Sequence, residues 1–468
     1  MNRWSALAVL LAIAGALALR VPKLDSRPLH NDEAVNAVKV SELWQHGRYQ
    51  YDPDEYHGPA LHYTTLPFLW LSGARNANEL GDSTLRLAPV AFGAGLILLL
   101  LLFAGGLGRQ PVAWAAIFIA VSPAMVFYSR YFIHEMLLVF FTALALGAGW
   151  RYLQTRSAFW AALAGTSLGL MFATKETFVL NLAAMGLAAL AAVWWMKPRG
   201  SRIQSVLAFS NWKHAMVALG AAFIMWLLFF SSFFTNFSGL LDSVRTYLPW
   251  FNRTGGYSPH VHPWNFYLER LAWFHPAKGP VWSEGLILVL AALGVVRSLA
   301  QKKSPLHIFL AFYTIILTAI YSAISYKTPW CLLNFYFGML LLAGVGAAAL
   351  VERCRARPLK MSAAAILLAF TTQLTWQSWR ASFVYAADRR NPYVYAQTAP
   401  GLLELLQRAE GLARVAPAGY ETVIKVIAPE NDYWPLPWYL RRFKNLGWYD
   451  QLPTDPFAPI IIVSSRLD

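Results

Sequence analysis

The feature that most constrains this chain is a series of long apolar stretches that carry almost no charge. A helix needs about 20 apolar residues to cross the hydrocarbon core of a bilayer. Nine stretches approach or exceed that length: residues 87–108, 111–129, 136–150, 157–174, 177–196, 215–241, 308–326, 328–351 and 361–379. Two weaker stretches, 4–19 and 281–296, raise the expected number of transmembrane helices to eleven. The sequence therefore predicts an all-α, multi-pass membrane protein.

The charged residues support this prediction and explain the basic character of the chain. Only 13% of the residues are charged, against about 25% in a soluble domain. The net charge of +15 arises largely from loops that alternate with the apolar stretches, as expected for the cytoplasmic side. The basic residues of these loops are Arg3, Arg109, Arg151, Arg156, Lys197, Arg199, Arg202, Lys213, Arg297, Lys302, Lys303, Arg353, Arg355, Arg357 and Lys360. Because the excess charge follows the topology, nucleic acid is not an expected partner.

This alternation predicts the sidedness of every segment. With the N-terminus in the cytoplasm, residues 1–379 form the transmembrane domain and residues 380–468 a small domain outside the cell membrane. Residues 22–83 and 242–281 are the long outer loops, and short outer turns lie at 129–135, 174–177 and 325–328. The first apolar stretch fits an uncleaved helix better than a signal peptide, and either leaves residues after Val21 outside.

Two outer segments have a pattern of their own. In the first loop, a helix is expected to begin at Asn31 or Asp32, and a second to cover 61–71, both lying at the membrane interface. In the tail, helices are expected at 399–413 and 437–444, and strands at 422–428 and 459–463. A strand–helix–strand order allows parallel pairing, so the tail is predicted to be a small α/β module.

Charged and polar residues collect at the outer ends of the predicted helices. Charged groups at membrane depth are costly, and their retention points to function. They are Asp32, Glu33, His57, His62, Arg130, Glu135, Lys175, Glu176 and Lys327. These residues come from separate parts of the sequence, yet the topology places them all on one face.

Each residue also has a structural interpretation. Asp32 and Glu33 suit the first turn of a helix, where the dipole favours anions. Lys175 and Glu176 suit ion pairs within the protein, and Lys327 suits an anchor that reaches the head groups. The whole set favours chemistry, because carboxylates accept protons while lysine and arginine bind phosphate and stabilise a leaving group. An enzyme acting on a lipid phosphate needs both at head-group depth.

Several motifs resemble those of the GT-C superfamily of membrane glycosyltransferases, which includes protein O-mannosyltransferases and the aminoarabinose transferases of lipid A. Leu29-His30-Asn31-Asp32-Glu33 is similar to the acidic motif of the superfamily's first outer loop. The segments at 57–63, 129–135 and 173–176 resemble its Pro-containing motif, its Arg-and-acid turn and its next outer turn. Tyr326-Lys327-Thr328-Pro329-Trp330 and the segment 437–441 look closest to the subgroup called flippase-activity-associated proteins. Two features depart from the pattern: Glu135 stands where Asp is usual, and the tail is short.

The resemblance implies an inverting transfer of a sugar from a polyprenyl-phosphate donor to a protein, glycan or lipid acceptor on the outer face. Asp32, Glu33 and Glu135 would be the catalytic carboxylates, and Arg130, Lys175 and Lys327 would bind the donor phosphate. His57, His62 and Glu176 would complete the site. Cofactor use is left open, since a divalent metal held by Asp32, Glu33 and Glu135 and a metal-free site are both compatible with the resemblance. The alternative function is a flippase for lipid-linked sugars, or its accessory subunit. A transporter would carry polar residues through the midplane and a repeated architecture, which this sequence lacks.

Overall fold

The computed structural model describes residues 3–54, 57–196, 211–249, 260–301 and 304–467. The basic residues predicted at 197–202 and 302–303, and part of the predicted outer loop at 250–259, lie outside these ranges. The first helices are α1 (Arg3–Arg20), α2 (Asn31–His46), α3 (Ala60–Ser72), α4 (Asp82–Leu107), α5 (Arg109–Val121), α6 (Pro123–Tyr128), α7 (Glu135–Thr155), α8 (Ala158–Phe172) and α9 (Phe178–Met196). They are followed by α10 (Trp212–Phe230), α11 (Ser238–Arg245), α12 (Phe266–Ala272), α13 (Gly285–Gln301), α14 (Pro305–Ala323), α15 (Leu333–Arg353) and α16 (Arg357–Trp379).

The helices confirm the predicted multi-pass class. A helix lies at each of the eleven stretches expected to cross the membrane. Six described segments are long and apolar enough to span a bilayer: Asp82–Leu107, Glu135–Thr155, Phe178–Met196, Trp212–Phe230, Pro305–Ala323 and Pro329–Arg353. Shorter apolar helices cover most of α1 and all of α5, α8 and α13. The side of the membrane on which each loop lies, and the domain boundary at 379/380, stay predictions.

Two predicted helices are interrupted. Residues 111–129 were expected to be continuous, but α5 ends at Val121, and the Ser122 side chain accepts a hydrogen bond from the Met125 amide at the start of α6. Pro123 has no amide hydrogen to continue α5. Residues 215–241 are also not one helix, because α10 ends at Phe230. The three residues from Ser232 to Phe234 have φ values of 50°, 52° and 71°, which turn the chain before α11.

Helix α2 begins where the sequence predicts, but it packs against protein on one face. The His30 side chain accepts a hydrogen bond from the Asp32 amide, and the Glu33 side chain accepts one from the His30 amide. This reciprocal capping box fixes the start of the helix. Ala34, Ala37 and Val40 are buried in an apolar cluster against the bundle, so this face of α2 packs on protein, and the expected place of α2 at the membrane interface stays a prediction.

The tail is the predicted α/β module with one additional strand. It contains α17 (Gly401–Val415), β1 (Ile424–Ile427), α18 (Leu436–Tyr439), β2 (Leu446–Tyr449) and β3 (Ile460–Val463). The strands pair in parallel in the order β2-β1-β3. The helix predicted at 437–444 is a single turn, and β2 was not predicted.

The tail is attached to the start of α4. Trp438 Nε1 donates to Asp82 Oδ1 at 2.8 Å, and the Tyr439 hydroxyl donates to Asp82 Oδ2 at 2.5 Å. The same hydroxyl accepts from the Leu29 amide at 2.8 Å. The tail, α4 and the segment before α2 are therefore held together at the face that carries the candidate site.

Candidate active site

The two adjacent carboxylates of α2 have opposite environments. The Asp32 side chain is 54% exposed, whereas the Glu33 side chain is fully buried. Consecutive residues of a helix point about 100° apart, so the same turn presents one acid to solvent and the other to the protein. The two members of the predicted acidic motif therefore have different surroundings.

Glu33 joins three segments of the chain. Its Oε1 accepts from Arg86 Nε at 2.8 Å, the Phe132 amide at 2.9 Å and Arg27 Nη2 at 3.4 Å. Its Oε2 accepts from Arg27 Nη1 at 2.6 Å, Arg86 Nη2 at 2.8 Å and the His30 amide at 2.9 Å. Burial alone would raise the pKa of Glu33, but the charges and hydrogen bonds of Arg27 and Arg86 outweigh it and hold that pKa well below its usual range. Glu33 is thus an ionised group with every acceptor position engaged, which does not fit a group that takes up a proton.

Asp32 keeps its carboxylate available. Its amide donates to His30 Nδ1 at 3.1 Å, and its Oδ1 lies 3.8 Å from the same nitrogen. Asp32 is close enough to His260 that its charge opposes the fall in the His260 pKa caused by burial. The first turn of α2 stabilises the negative charge of Asp32 through the helix dipole. Asp32 is therefore an exposed carboxylate in the first turn of α2, and the contacts of Glu33 hold that turn in place.

Two further predicted acids are buried and contact a basic side chain. Lys175 Nζ donates to Glu135 Oε1, and both side chains are buried. Burial alone would lower the pKa of Lys175, but the neighbouring Glu135 charge raises it. Glu176 Oε2 lies 2.8 Å from His57 Nδ1, and His57 remains 42% exposed at the mouth of this cluster. The structure thus brings the predicted turns at 129–135 and 173–176 together with the His57 motif.

A close backbone approach explains the glycine of that motif. A Cβ added at Gly58 would lie 2.2 Å from the carbonyl oxygen of Ala173, so only glycine fits there. The Ala60 amide donates to the same oxygen at 2.8 Å. The His-Gly-Pro segment and the 173–176 turn are consequently fixed against each other.

Two further histidines, His134 and His62, lie next to His57. The ring centroids of His57 and His134 are 5.2 Å apart, and those of His134 and His62 are 5.7 Å apart. His134 Nε2 lies 3.0 Å from the Gly58 carbonyl oxygen. Both ring nitrogens of His62 are buried and have no hydrogen-bond partner among the described residues, and burial lowers the pKa of His62 to about 3. His62 is therefore neutral at physiological pH.

Two of the three cations predicted to bind phosphate are occupied by backbone carbonyls. Arg130 Nη1 donates to the carbonyls of Arg20 and Pro22, both at 2.7 Å, and its Nη2 donates to Lys23 at 2.9 Å. Lys327 Nζ donates to the carbonyls of His262 and Ile324. These contacts tie loops together, and the predicted role of both residues in binding phosphate stays a prediction.

Arg270 is a candidate that no sequence motif indicated. Its guanidinium stacks 3.5 Å from the centroid of the Phe266 ring, and Nη1 donates to the Phe266 carbonyl at 3.2 Å. Its Nε is buried and has no hydrogen-bond partner in the part of the chain that the structure describes. Burial and the charge of Arg270 both lower the pKa of neighbouring His262. Arg270 therefore has donor capacity left over at this face.

Aromatic rings connect Asp32 with the region around Arg270. The Trp330 ring meets His30 edge-on at a centroid distance of 5.5 Å and Tyr395 at 5.9 Å. The Tyr395 hydroxyl lies 2.6 Å from His260 Nδ1 and 3.4 Å from His262 Nε2. The predicted Lys-Thr-Pro-Trp motif thus contributes Trp330 to a row of aromatic rings that runs from the start of α2 to α12, which carries Arg270.

The residues predicted as possible metal ligands do not form a metal site. Glu33 is saturated by donors from two arginines, and Glu135 is paired with Lys175. Among the residues that the structure describes, no group of three or more His, Cys, Asp or Glu side chains is arranged to hold a metal ion. Asp32, Glu33 and Glu135 together therefore do not fit such a centre.

Comparisons with known proteins agree with this architecture. Residues 61–241 match the family model described as dolichyl-phosphate-mannose-protein mannosyltransferase. ArnT from Cupriavidus metallidurans, solved with bound undecaprenyl phosphate, superposes with a TM-score of 0.60 at 16% identity, over 94% of this chain and 85% of that chain. The archaeal oligosaccharyltransferase AglB from Archaeoglobus fulgidus, solved with an inhibitory peptide and a dolichol-phosphate, gives a TM-score of 0.59 at 15% identity over 94% of this chain. This chain spans 64% of the length of AglB. Comparison with curated protein sequences gave no match. The chain therefore has the fold of the GT-C membrane glycosyltransferases, and its residues 61–241 match the protein mannosyltransferase family model.

Proposed function

We propose that this protein is an inverting membrane glycosyltransferase. It moves a sugar from a polyprenyl-phosphate-linked donor to an acceptor on the outer face of the cell membrane. The proposal is supported by the GT-C fold, by the mannosyltransferase match over 61–241, and by the acids and cations carried by the first turn of α2 and by the turns at 129–135 and 173–176. The observation that carries it is that the first turn of α2 presents an exposed acid, Asp32, next to a buried acid, Glu33, that is held by hydrogen bonds.

In the proposed reaction, an acceptor hydroxyl attacks the anomeric carbon from the side opposite the phosphate. The bond between that carbon and the phosphate oxygen breaks, and the polyprenyl phosphate leaves. Asp32 orients the hydroxyl and takes its proton, as an exposed carboxylate with free lone pairs can. Glu33 acts as a positioning residue, because its six hydrogen bonds fix the first turn of α2.

The leaving phosphate requires positive charge. We assign this role to Lys175 and Arg270, with Glu135 holding Lys175 in place until the donor binds. A guanidinium with unused donors suits bidentate contact with a phosphate. Arg130 and Lys327 shape the surrounding loops through their carbonyl contacts. His57 is the exposed member of its cluster and contacts substrate hydroxyls, while Glu176 and the neutral His62 support it from beneath.

The decisive experiment is transfer from a purified polyprenyl-phosphate sugar by the Asp32→Asn variant. Asn caps a helix about as well as Asp, so the substitution removes basicity and little else. The rate should fall by roughly 10²–10⁴-fold, the typical contribution of a positioned acid or base. Expression and thermal stability should stay at the wild-type level.

A matched control is Glu42→Gln, which removes another partly exposed carboxylate from the same helix. Transfer should persist in this variant. Full activity of Asp32→Asn would remove Asp32 as the base. If the purified wild-type protein gave no transfer, the flippase-accessory function would replace the enzyme.

A further inference from the structure

A cavity lies at the end of the bundle opposite Asp32. It has a volume of about 540 Å³ and is formed where α4, α13 and α15 end and where α5 and α14 begin. Helix α4 starts at Asp82, beside the tail and Glu33, and reaches the cavity at Leu107. At about 1.5 Å per residue, this helix separates the two sites by nearly 40 Å. The cavity is thus remote from the proposed transfer reaction.

The lining of this cavity is rich in hydrogen-bond donors. Arg109, Arg297 and His307 line it, and Glu352 is the one acid among the described lining residues. Within the described ranges, the Arg109 guanidinium has no hydrogen-bond or ion-pair partner. Arg297 Nη2 lies 3.5 Å from Glu352 Oε2, and both side chains are partly exposed, which makes this a weak pair. The cavity therefore carries excess positive charge.

The start of α5 adds to this preference for anions. Its N-cap residue is Gly108, with a φ of 93°, and it offers no side chain to the first amides of the helix. Gly108, Arg109 and Gln110 all line the cavity. The first amides of a helix and its dipole favour an anion, and here they act together with two arginines.

An apolar surface leads to the cavity along α13. Val289, Leu293 and Val296 are 62%, 39% and 65% exposed and recur at the spacing of one helix face. Arg297, which lines the cavity, directly follows Val296. In the bilayer, this stripe accommodates acyl chains beside the cationic cavity.

We propose that this cavity binds the phosphate of an anionic phospholipid, with the acyl chains lying along α13. Basic pockets between transmembrane helices suit such head groups. On the predicted topology, the lipid belongs to the cytoplasmic leaflet. The site is separate from the site of the proposed transfer reaction, and this proposal does not depend on the proposed function.

The test is retention of phosphatidylglycerol, against phosphatidylcholine, by the full-length protein in native mass spectrometry. Wild-type protein should retain phosphatidylglycerol preferentially. Arg109→Gln and Arg297→Gln should each weaken retention by about fivefold, the effect of one basic residue near a charged surface. Glu352→Gln should strengthen it, because it removes the acid that competes for Arg297.

The matched control is Arg357→Gln, which removes a basic residue at the first position of α16, outside the cavity lining. Its retention should equal that of the wild type. Equal retention by the Arg109→Gln/Arg297→Gln double variant and the wild type would overturn the proposal, as would an equal loss in Arg357→Gln. Millimolar inorganic phosphate should not displace the lipid; complete displacement would identify a soluble anion as the occupant and also overturn it. Size-exclusion profiles of the variants verify that each is folded.

Discussion

Replacing Glu33 by Gln tests whether Glu33 positions the first turn of α2, which carries Asp32. The substitution keeps the shape of the side chain and removes its charge. Each carboxylate oxygen accepts three hydrogen bonds, so converting either one into an NH2 group leaves at least three donors without an acceptor. Two buried guanidinium groups also lose their counter-charge. Removing one partner of a buried ion pair typically costs about 3–5 kcal/mol, and we expect a loss of that size in the free energy of unfolding.

The loss should depend on pH in a defined direction. The pKa of Glu33 is lower in the folded protein than in the unfolded chain, because Arg27 and Arg86 favour the charged form. Its contribution to stability is therefore complete above the unfolded value of about 4.3 and declines as the pH falls below it. The difference between wild type and Glu33→Gln should be constant near neutral pH and should shrink in acid.

The measurement is an unfolding titration with a denaturing detergent, started from mild-detergent micelles and followed by tryptophan fluorescence. Glu42→Gln serves as the control, because that carboxylate is exposed and pairs with Lys39 along the same helix. It should change stability by less than about 1 kcal/mol. Wild-type stability of Glu33→Gln would show that the contacts around Glu33 do not hold α2, and the positioning role would have to be given up.

Three other expectations follow from the same structure. Glu135→Gln and Lys175→Met should each lower the free energy of unfolding by about 3–5 kcal/mol. The double variant should recover much of that loss, because it leaves neither of the two charges buried without its partner. Additive losses in the double variant would disprove direct pairing. His62→Phe should change the free energy of unfolding by no more than about 1 kcal/mol, since neither ring nitrogen has a hydrogen-bond partner among the described residues. A large loss of stability in a thermal-shift assay would reveal an unrecognised contact. In a background without the native cysteines, Leu452→Cys should react with a membrane-impermeant maleimide from outside intact cells; reaction only from the cytoplasmic side of inverted vesicles would reverse the predicted topology.

The helical architecture was predictable because hydrophobic length and loop charge are local properties of the sequence. All eleven apolar stretches form helices, and the errors occur where local chemistry breaks a long stretch. Ser122-Pro123 divides one, and the left-handed conformations from Ser232 to Phe234 end another. Strand β2 was missed because the segment Leu446–Tyr449 contains a glycine and lacks an alternating apolar pattern.

The candidate site was predictable as a group but not in its pairings. Sidedness alone gathers Asp32, Glu135 and Lys175 on one face. Which cation meets which acid depends on tertiary packing, so the burial of Glu33 between two arginines was not visible in the sequence. Arg270 was missed for the same reason, since its placement depends on how the Phe266 and His262 rings stack.

The attachment of the tail to α4 couples distant parts of the chain mechanically. Asp82, which receives Trp438 and Tyr439, lies one helical turn before Arg86, which grips Glu33. These four residues span about 6 Å along the axis of α4. The Tyr439 hydroxyl also holds the Leu29 amide, immediately ahead of α2. A displacement of the C-terminal module is thus transmitted through two parallel sets of contacts to the first turn of α2, which carries Asp32.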